Sequence, residues 1–354
     1  MKIAIDCRML GSGGIGSYLA ALLPFFVKEY ECTLLGNEAQ IRKYAGEQNA
    51  EHPYTILYCP VQTFSLKELF FFPGSILKQI NECELFYTPY CNIPGGIKVP
   101  IFSTIHDVVF LDVPGLSGTV GTIARKWFYQ HALNKSKKVF TVSNFSKERI
   151  QFHLRTKPDQ IITTYNALPH WFYQDVNISI QKDNYILFVG NIKKHKGLKT
   201  LLDAFKDLLA QGTDAKLMIV GNSENFRTED KDIWNQISAC PKNSVIFTGR
   251  ISDSELNEIY AKAKVLVQPS LYEGFGMPPL EALNLDTDVI LSDIPVFKEI
   301  YANFPVTFFK CQDSKDLAQK LINGWDSFGK NSINVPDTYS FEKTFEIIKT
   351  NLYN

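Results

Sequence analysis

The stretch Tyr272-Glu273-Gly274-Phe275-Gly276-Met277-Pro278-Pro279-Leu280-Glu281-Ala282-Leu283 decides how this chain is read. It follows the apolar run Val265-Leu266-Val267, which reads as a buried strand. Gly274 and Gly276 interrupt any regular pattern and let backbone come close to a ligand. Pro278 or Pro279 suits the first position of a helix, where a missing N–H costs little. Strand, glycine loop and helix start therefore follow one another. Such a junction aims unpaired N–H groups and a partial positive charge at whatever lies above it, which suits phosphate. Glu273 and Glu281 bracket the turn. On one continuous helix they would stand about 12 Å apart; with Glu273 in the loop they can converge on one ligand. Carboxylates beside an anion site make sense as acceptors for sugar hydroxyls. The expected ligand carries both phosphate and diols.

At 354 residues the chain is long enough for two domains. Hydrophobic residues make up 45% and charged residues 21%, the composition of an ordinary soluble globular protein. Lys+Arg and Asp+Glu number 37 each, a balance that argues against nucleic acid as a partner. No apolar run approaches the roughly 20 residues of a spanning helix, and the first residues lack a signal-peptide profile. Seven scattered cysteines without C-x-x-C spacing read as reduced thiols of a cytoplasmic protein. No metal site is expected: no His/Cys cluster has ligand spacing, and no Asp-x-Asp tripeptide is expected along the chain to hold a divalent ion.

Lys2-Ile3-Ala4-Ile5-Asp6 reads as a first strand. Gly11-Ser12-Gly13-Gly14-Ile15-Gly16 follows, then a helical pattern over residues 18–27. The glycines form either a phosphate cradle or a plain tight turn. They do not sit at the usual point for G-x-G-x-x-G, and no Gly-Lys-Ser/Thr follows. Short apolar strands then alternate with helical stretches, among them one over 146–154 with Ser146 as N-cap, which argues for a parallel α/β sheet. Phe70, Phe71 and Phe72, near Lys67, read either as packing or as a membrane-facing lip. His106 ends a strand, at the edge where open α/β sheets bind ligands. Residues 168–184 lack periodicity and read as an interdomain connection. A second α/β series follows. Two of its strands end at glycines: Gly190-Asn191 leads into Lys193-Lys194-His195-Lys196-Gly197, and Gly249 precedes Arg250. Cations after strand ends supply charge to a phosphate. Ser252-Asp253-Ser254-Glu255 has the form of a capping box.

In this order and spacing the residues resemble the retaining glycosyltransferases of family 4, over nearly the whole chain. The most specific element is E-x7-E, from Glu273 to Glu281. Supporting elements are the N-terminal glycine loop, Thr104-Ile105-His106-Asp107, Val142-Ser143-Asn144-Phe145-Ser146, Phe188-Val189-Gly190 and Lys196-Gly197. The wording is most similar to bacterial polysaccharide mannosyl- and rhamnosyltransferases. The resemblance implies a GT-B fold: two Rossmann-like domains with parallel sheets facing across a cleft. Residues 1–170 would form the acceptor domain, with a last helix at about 340–354 returning to it, and 171–339 the donor domain. Gly13 and Gly14 would let backbone approach the diphosphate. His106 would contact the donor sugar near C6, and Lys196 would offset charge on the leaving diphosphate. Glu273 would bind hydroxyls of the transferred sugar, near the amides of Phe275, Gly276 and Met277. Glu281 would bind the ribose diol, and Arg250 lies near the base and phosphate contacts. Many members carry arginine where this chain has Asn191, so a second phosphate cation must come from Lys194, His195 or Arg250.

The activity implied is metal-independent transfer of a hexose from a nucleoside-diphosphate sugar to a glycan or lipid-linked glycan, with no cofactor. GDP-mannose is the first donor expected, then a dTDP- or UDP-sugar. The location expected from the cysteines is the cytoplasm, at the inner face of the membrane if the Phe70–Phe72 lip faces lipid. A nucleotide-sugar epimerase, a phosphorylase of similar fold and a non-catalytic partner subunit are the alternatives.

Overall fold

The structure is a computed structural model that describes residues 1–46, 51–173, 181–221, 231–249, 251–330 and 332–353. Part of the expected connection, 174–180, lies outside the described residues, as does Arg250. The chain divides into two compact units, Met1–His170 with Tyr339–Asn354, and Trp171–Thr338.

Among the described residues, the first unit holds seven strands: β1 (Lys2–Asp6), β2 (Glu31–Gly36), β3 (Tyr54–Tyr58), β4 (Leu85–Thr88), β5 (Ile101–Thr104), β6 (Ser136–Thr141) and β7 (Ile161–Thr163). They form one parallel sheet in the order β3-β2-β1-β4-β5-β6-β7. The order reverses between β1 and β4, and ligands in open α/β sheets bind at the carboxyl edge of such a switch point. The strands are short apolar runs because helices cover the sheet. Phe86, Val139 and Ile150 are fully enclosed in its core. The helix Phe341–Tyr353 belongs to this unit although it ends the chain. Phe345 packs on Phe26 at 5.2 Å, and Thr344 Oγ1 donates to Thr164 O at 3.0 Å.

The second unit holds β8 (Tyr185–Val189), β9 (Lys216–Val220), β10 (Val245–Gly249), β11 (Val265–Gln268), β12 (Asp288–Ser292) and β13 (Thr307–Phe309), in the parallel order β10-β9-β8-β11-β12-β13. Its switch point lies between β8 and β11, paired at Ile186↔Val265 and Leu187↔Leu266. Phe188, Leu201, Val267 and Leu321 lie in its core. Ser252 and Glu255 form the expected capping box, opening the helix Asp253–Lys262.

Three local expectations shift. The first helix spans Gly13–Glu29, so the glycine loop supplies its first turn instead of preceding it. The helix Asn144–His153 is capped by Ser143, whose side chain accepts from Ser146 N, so Ser146 sits inside it. The three phenylalanines also part company. Phe70 and Phe71 are exposed, whereas Phe72 is buried beneath the Arg8 guanidinium at 5.2 Å.

Arg8 belongs to a buried ionic cluster that sequence reading did not find. Its guanidinium contacts Asp6 at 2.6 Å, Glu68 at 2.5 Å and Tyr90 Oη at 2.7 Å, and both carboxylates are fully buried. Glu68 also accepts from Tyr90 Oη, Asn92 and Phe64 N. Burial pushes the Glu68 carboxyl up, against the Arg8 charge. Through Glu68, the short helix Leu66–Phe70 is tied to the end of β1.

Candidate functional site

In the second unit the loops after β8 and β11 stand side by side, because those strands are neighbours at the switch point. Leu271 N donates to His195 O at 2.7 Å. Gly197 makes this approach possible: its φ is +70°, and a Cβ there would stand 1.9 Å from Pro269 O. The pairing brings Lys196 to Glu273. Lys196 Nζ donates to Glu273 Oε1 at 2.7 Å and Oε2 at 2.8 Å. Ser270 Oγ donates to Oε1 at 2.7 Å, and Gln268 Nε2 lies 3.3 Å from the same oxygen. Burial alone raises the Glu273 pKa, but the Lys196 charge and these hydrogen bonds hold it below the usual carboxylate value. The carboxylate is therefore ionised, oriented and ready to accept from hydroxyls.

The stretch from Glu273 to Leu283 folds as its residues require. Gly276 is the N-cap at φ +91°, and a Cβ there would strike the Phe297 ring at 2.4 Å. Its carbonyl accepts from Tyr301 Oη. The helix Met277–Leu283 carries proline in its first turn. With Pro278 and Pro279 in its first turn and only seven residues, it offers few N–H donors and no large macrodipole. Glu281 lies on this helix and accepts from Tyr260 Oη at 2.5 Å. Burial raises the Glu281 pKa, and the Tyr260 hydrogen bond opposes the rise.

The other expected residues divide between the units. Gly13 and Gly14 lie in the first turn of Gly13–Glu29, where a Cβ at either would meet nothing within 4 Å. His106 follows β5 and keeps a partly exposed edge. Its Nε2 lies 3.0 Å from Pro89 O, the residue after β4. A carbonyl only accepts, so Nε2 carries the proton and Nδ1 is an acceptor. Burial lowers the His106 pKa to about 4, so the ring is neutral at pH 7. Tyr18, from Gly13–Glu29, packs edge-on against it at 4.9 Å.

Of the candidates to replace the missing arginine, His195 drops out as a cation. Burial first, then the Lys196 charge, lower its pKa to about 4. Asn191 and Lys194 are exposed.

Ser270, Gln268 and Tyr260 were missed. Gln268 had a readable signal, as a polar residue closing an apolar strand, and it is fully buried. Tyr260 had none; it sits in another helix, and only the packing of Asp253–Lys262 brings it to Glu281.

Asp-x-Asp pairs do occur, contrary to expectation, at Asp230–Asp232 and Asp286–Asp288. Asp230 lies outside the described residues. Asp286 and Asp288 accept from Ile333 N and Gly329 N, and Thr287 between them accepts from Lys182, so this pair braces the fold.

The family model for glycosyl transferases group 1 matches residues 170–324. An uncharacterized glycosyltransferase, MJ1607 of Methanocaldococcus jannaschii, is 32% identical over 316 residues, 84% of this chain and 78% of that protein. The chain belongs to the group 1 glycosyltransferases. The O-antigen chain mannosyltransferase RfbU of Salmonella typhimurium is 29% identical to this glycosyltransferase over 265 residues, 75% of this chain and 69% of RfbU. Among solved structures, Anabaena Alr3699/HepE in complex with UDP and glucose is similar in fold. It has a TM-score of 0.74 at 15% identity, covering 100% of this chain and 99% of that one. The GT-B fold expected from the resemblance is borne out, and the enzyme is a glycosyltransferase.

Proposed function

We propose that this glycosyltransferase moves a hexosyl group, with mannose or rhamnose favoured, from a nucleoside-diphosphate sugar to a glycan or lipid-linked glycan of a bacterial surface polysaccharide. The observation that carries the proposal is the Lys196–Glu273 pair, held at the switch point beside the Gly274–Gly276 backbone. Glu273 would bind hydroxyls of the transferred sugar, and the amides of Phe275, Gly276 and Met277 would meet the diphosphate. Lys196, released in part from Glu273, would take up charge on the departing diphosphate. Glu281, held by Tyr260, would accept from the ribose diol with its other oxygen. From the first unit, the Gly13–Gly14 backbone would approach the diphosphate, and neutral His106 would accept from a sugar hydroxyl through Nδ1. The first unit is then the acceptor side and the second the donor side.

In the reaction the bond between the sugar's anomeric carbon and the phosphate oxygen breaks, leaving its electron pair on the diphosphate. The acceptor hydroxyl attacks the anomeric carbon from the same face. Its proton passes to the leaving phosphate oxygen, so configuration is retained. Glu273 and Glu281 bind hydroxyls here and are not a glycosidase acid/base pair. No divalent ion is assigned a role. Lys194 and Arg250 are the cations proposed to stand in for the arginine absent at Asn191, with Arg250 outside the described residues.

The similarity to RfbU supports a mannosyl donor, and GDP-mannose is the first candidate ahead of dTDP- and UDP-sugars. No described helix is long and apolar enough to cross a membrane. Exposed Phe70 and Phe71 support contact with the inner face of the cell membrane, where a lipid-linked acceptor would be met. The deciding experiment incubates the enzyme with each nucleotide sugar, with and without a lipid-linked acceptor. Nucleoside diphosphate released only with acceptor, and a product of retained configuration, are expected. Turnover of the nucleotide sugar without any acceptor would support the epimerase alternative.

A further inference from the structure

Phe64 lies in the loop after β3, at the carboxyl edge of the first sheet, and its backbone is left-handed at φ +59°. A bulky aromatic residue avoids this conformation, whereas glycine takes it without strain. Among the described residues, most other non-glycine positions of positive φ hold Asp, Asn or Gln. Tyr165, the other aromatic there, is half-buried and accepts from Asn144 at 2.7 Å. Phe64 is instead 55% exposed. Its loop is held from beneath. Phe64 N donates to Glu68 Oε2 at 3.0 Å, Ser65 Oγ to Gln62 O at 2.7 Å, and Arg8 Nη1 to Val61 O at 3.3 Å. The ring leans on Tyr90 at 5.1 Å, and Tyr90 Oη donates to Asp6 and Glu68. The buried ionic cluster thus fixes an exposed ring on a strained backbone. Strain of this kind persists only where the surroundings over-determine it, and it gathers where ligands bind. The loop after β4 links this ring to His106: Tyr90 touches Phe64, and the carbonyl of Pro89 orients the imidazole.

We propose that Phe64 is a stacking platform for a non-reacting sugar ring of the acceptor glycan. This rests on the reading of the first unit as the acceptor side, and it names the residue that would hold the acceptor there. The C–H hydrogens on one face of a pyranose are weakly positive and meet the negative face of an aromatic ring. A ring whose backbone and neighbours are already fixed loses little freedom on binding, which favours a ligand of defined shape. Gln62, exposed in the same loop, is uncharged, and its amide can both donate to and accept from hydroxyls. A lipid surface fits less well, because a fluid partner gains no affinity from a ring held in one orientation.

Saturation-transfer NMR of the full chain with short, soluble, neutral oligosaccharides of mannose, of rhamnose and of glucose tests the proposal without donor or turnover. Its failure and the failure of the transfer reading are therefore separate results. At least one series should receive magnetisation at its ring C–H protons. Phe64→Gly should weaken that binding about fivefold or more. Its Tm should hold or rise, because glycine suits φ +59°, so lost binding cannot be put down to unfolding. Phe64→Trp, which keeps an aromatic face, should retain binding. Absence of binding by all three series would overturn the proposal. So would a Phe64→Gly variant with lower Tm and wild-type oligosaccharide binding, which would make the ring a packing element. Loss of partition onto phosphatidylcholine–phosphatidylglycerol vesicles by Phe64→Gly, with oligosaccharide binding intact, would overturn it in favour of a lipid partner.

Discussion

Lys196 Nζ stands 2.7 and 2.8 Å from the two carboxylate oxygens of Glu273, although the residues are 77 positions apart. The lysine is therefore ion-paired within the protein before any donor arrives, and the carboxylate is kept ionised in a mostly buried place. Lys196→Met or Glu273→Gln is expected to lower kcat/KM for sugar transfer by more than about tenfold. Each variant leaves the other partner without its counter-charge. The double variant should therefore regain part of the Tm lost by the worse single variant, while activity stays low. Near wild-type turnover in both single variants would remove the pair from the site.

Tyr260 holds one oxygen of Glu281, so Tyr260→Phe tests the nucleotide end without touching ligand directly. Loss of one hydrogen bond to a carboxylate is worth about 1–2 kcal/mol, roughly a five- to thirtyfold weaker nucleotide Kd. A thermal-shift screen of GDP, UDP, dTDP and ADP reads both affinity and identity, because a nucleotide that binds only the folded enzyme raises Tm. GDP is expected to give the largest rise, and Tyr260→Phe should shrink it. An undiminished shift in the variant would detach Tyr260 from nucleotide binding.

His106 and His195 are both held neutral, each with its pKa lowered from 6.5 to about 4. Between those values the unfolded chain binds the protons that the folded chain refuses, so stability rises with pH through this window and is lost on acidification. Tm should fall as pH drops from about 6.5 to about 4, and His195→Gln should flatten part of that slope. An equal slope in the variant would show that other groups govern the acid transition.

The Asp6–Arg8–Glu68 cluster is buried and tied to Tyr90 and Asn92, so breaking it should be costly. Arg8→Ala leaves two buried carboxylates facing each other and is expected to destabilise the enzyme by about 3–5 kcal/mol in chemical denaturation. Glu68→Gln, which keeps shape and removes one charge, should cost less. A loss under about 1 kcal/mol in Arg8→Ala would mean that water reaches the cluster.

Much of the site was legible along the chain because its signals are local. Short apolar runs alternating with helical periodicity mark a parallel α/β sheet. Glycine and proline around Gly276 to Pro279 mark a strand-to-helix junction, and the spacing of Glu273 and Glu281 puts both carboxylates at that junction. Each depends on residues a few positions apart, where backbone sterics and helix pitch act directly.

What joins distant residues was decided only in the tertiary structure. β8 and β11 are neighbours in the sheet, and Gly197 lets their loops close, so Lys196 reaches Glu273. Packing of another helix brings Tyr260 to Glu281, and burial removes the charge from His195. The same holds for Phe72, which lies under Arg8 while Phe70 and Phe71 face outward. Side-chain burial, and with it ionisation, is set by which surfaces meet across the fold. The opening stretch supplied the carboxylates, the residues just before it supplied the serine and glutamine, and tertiary packing supplied the lysine and tyrosine that hold them.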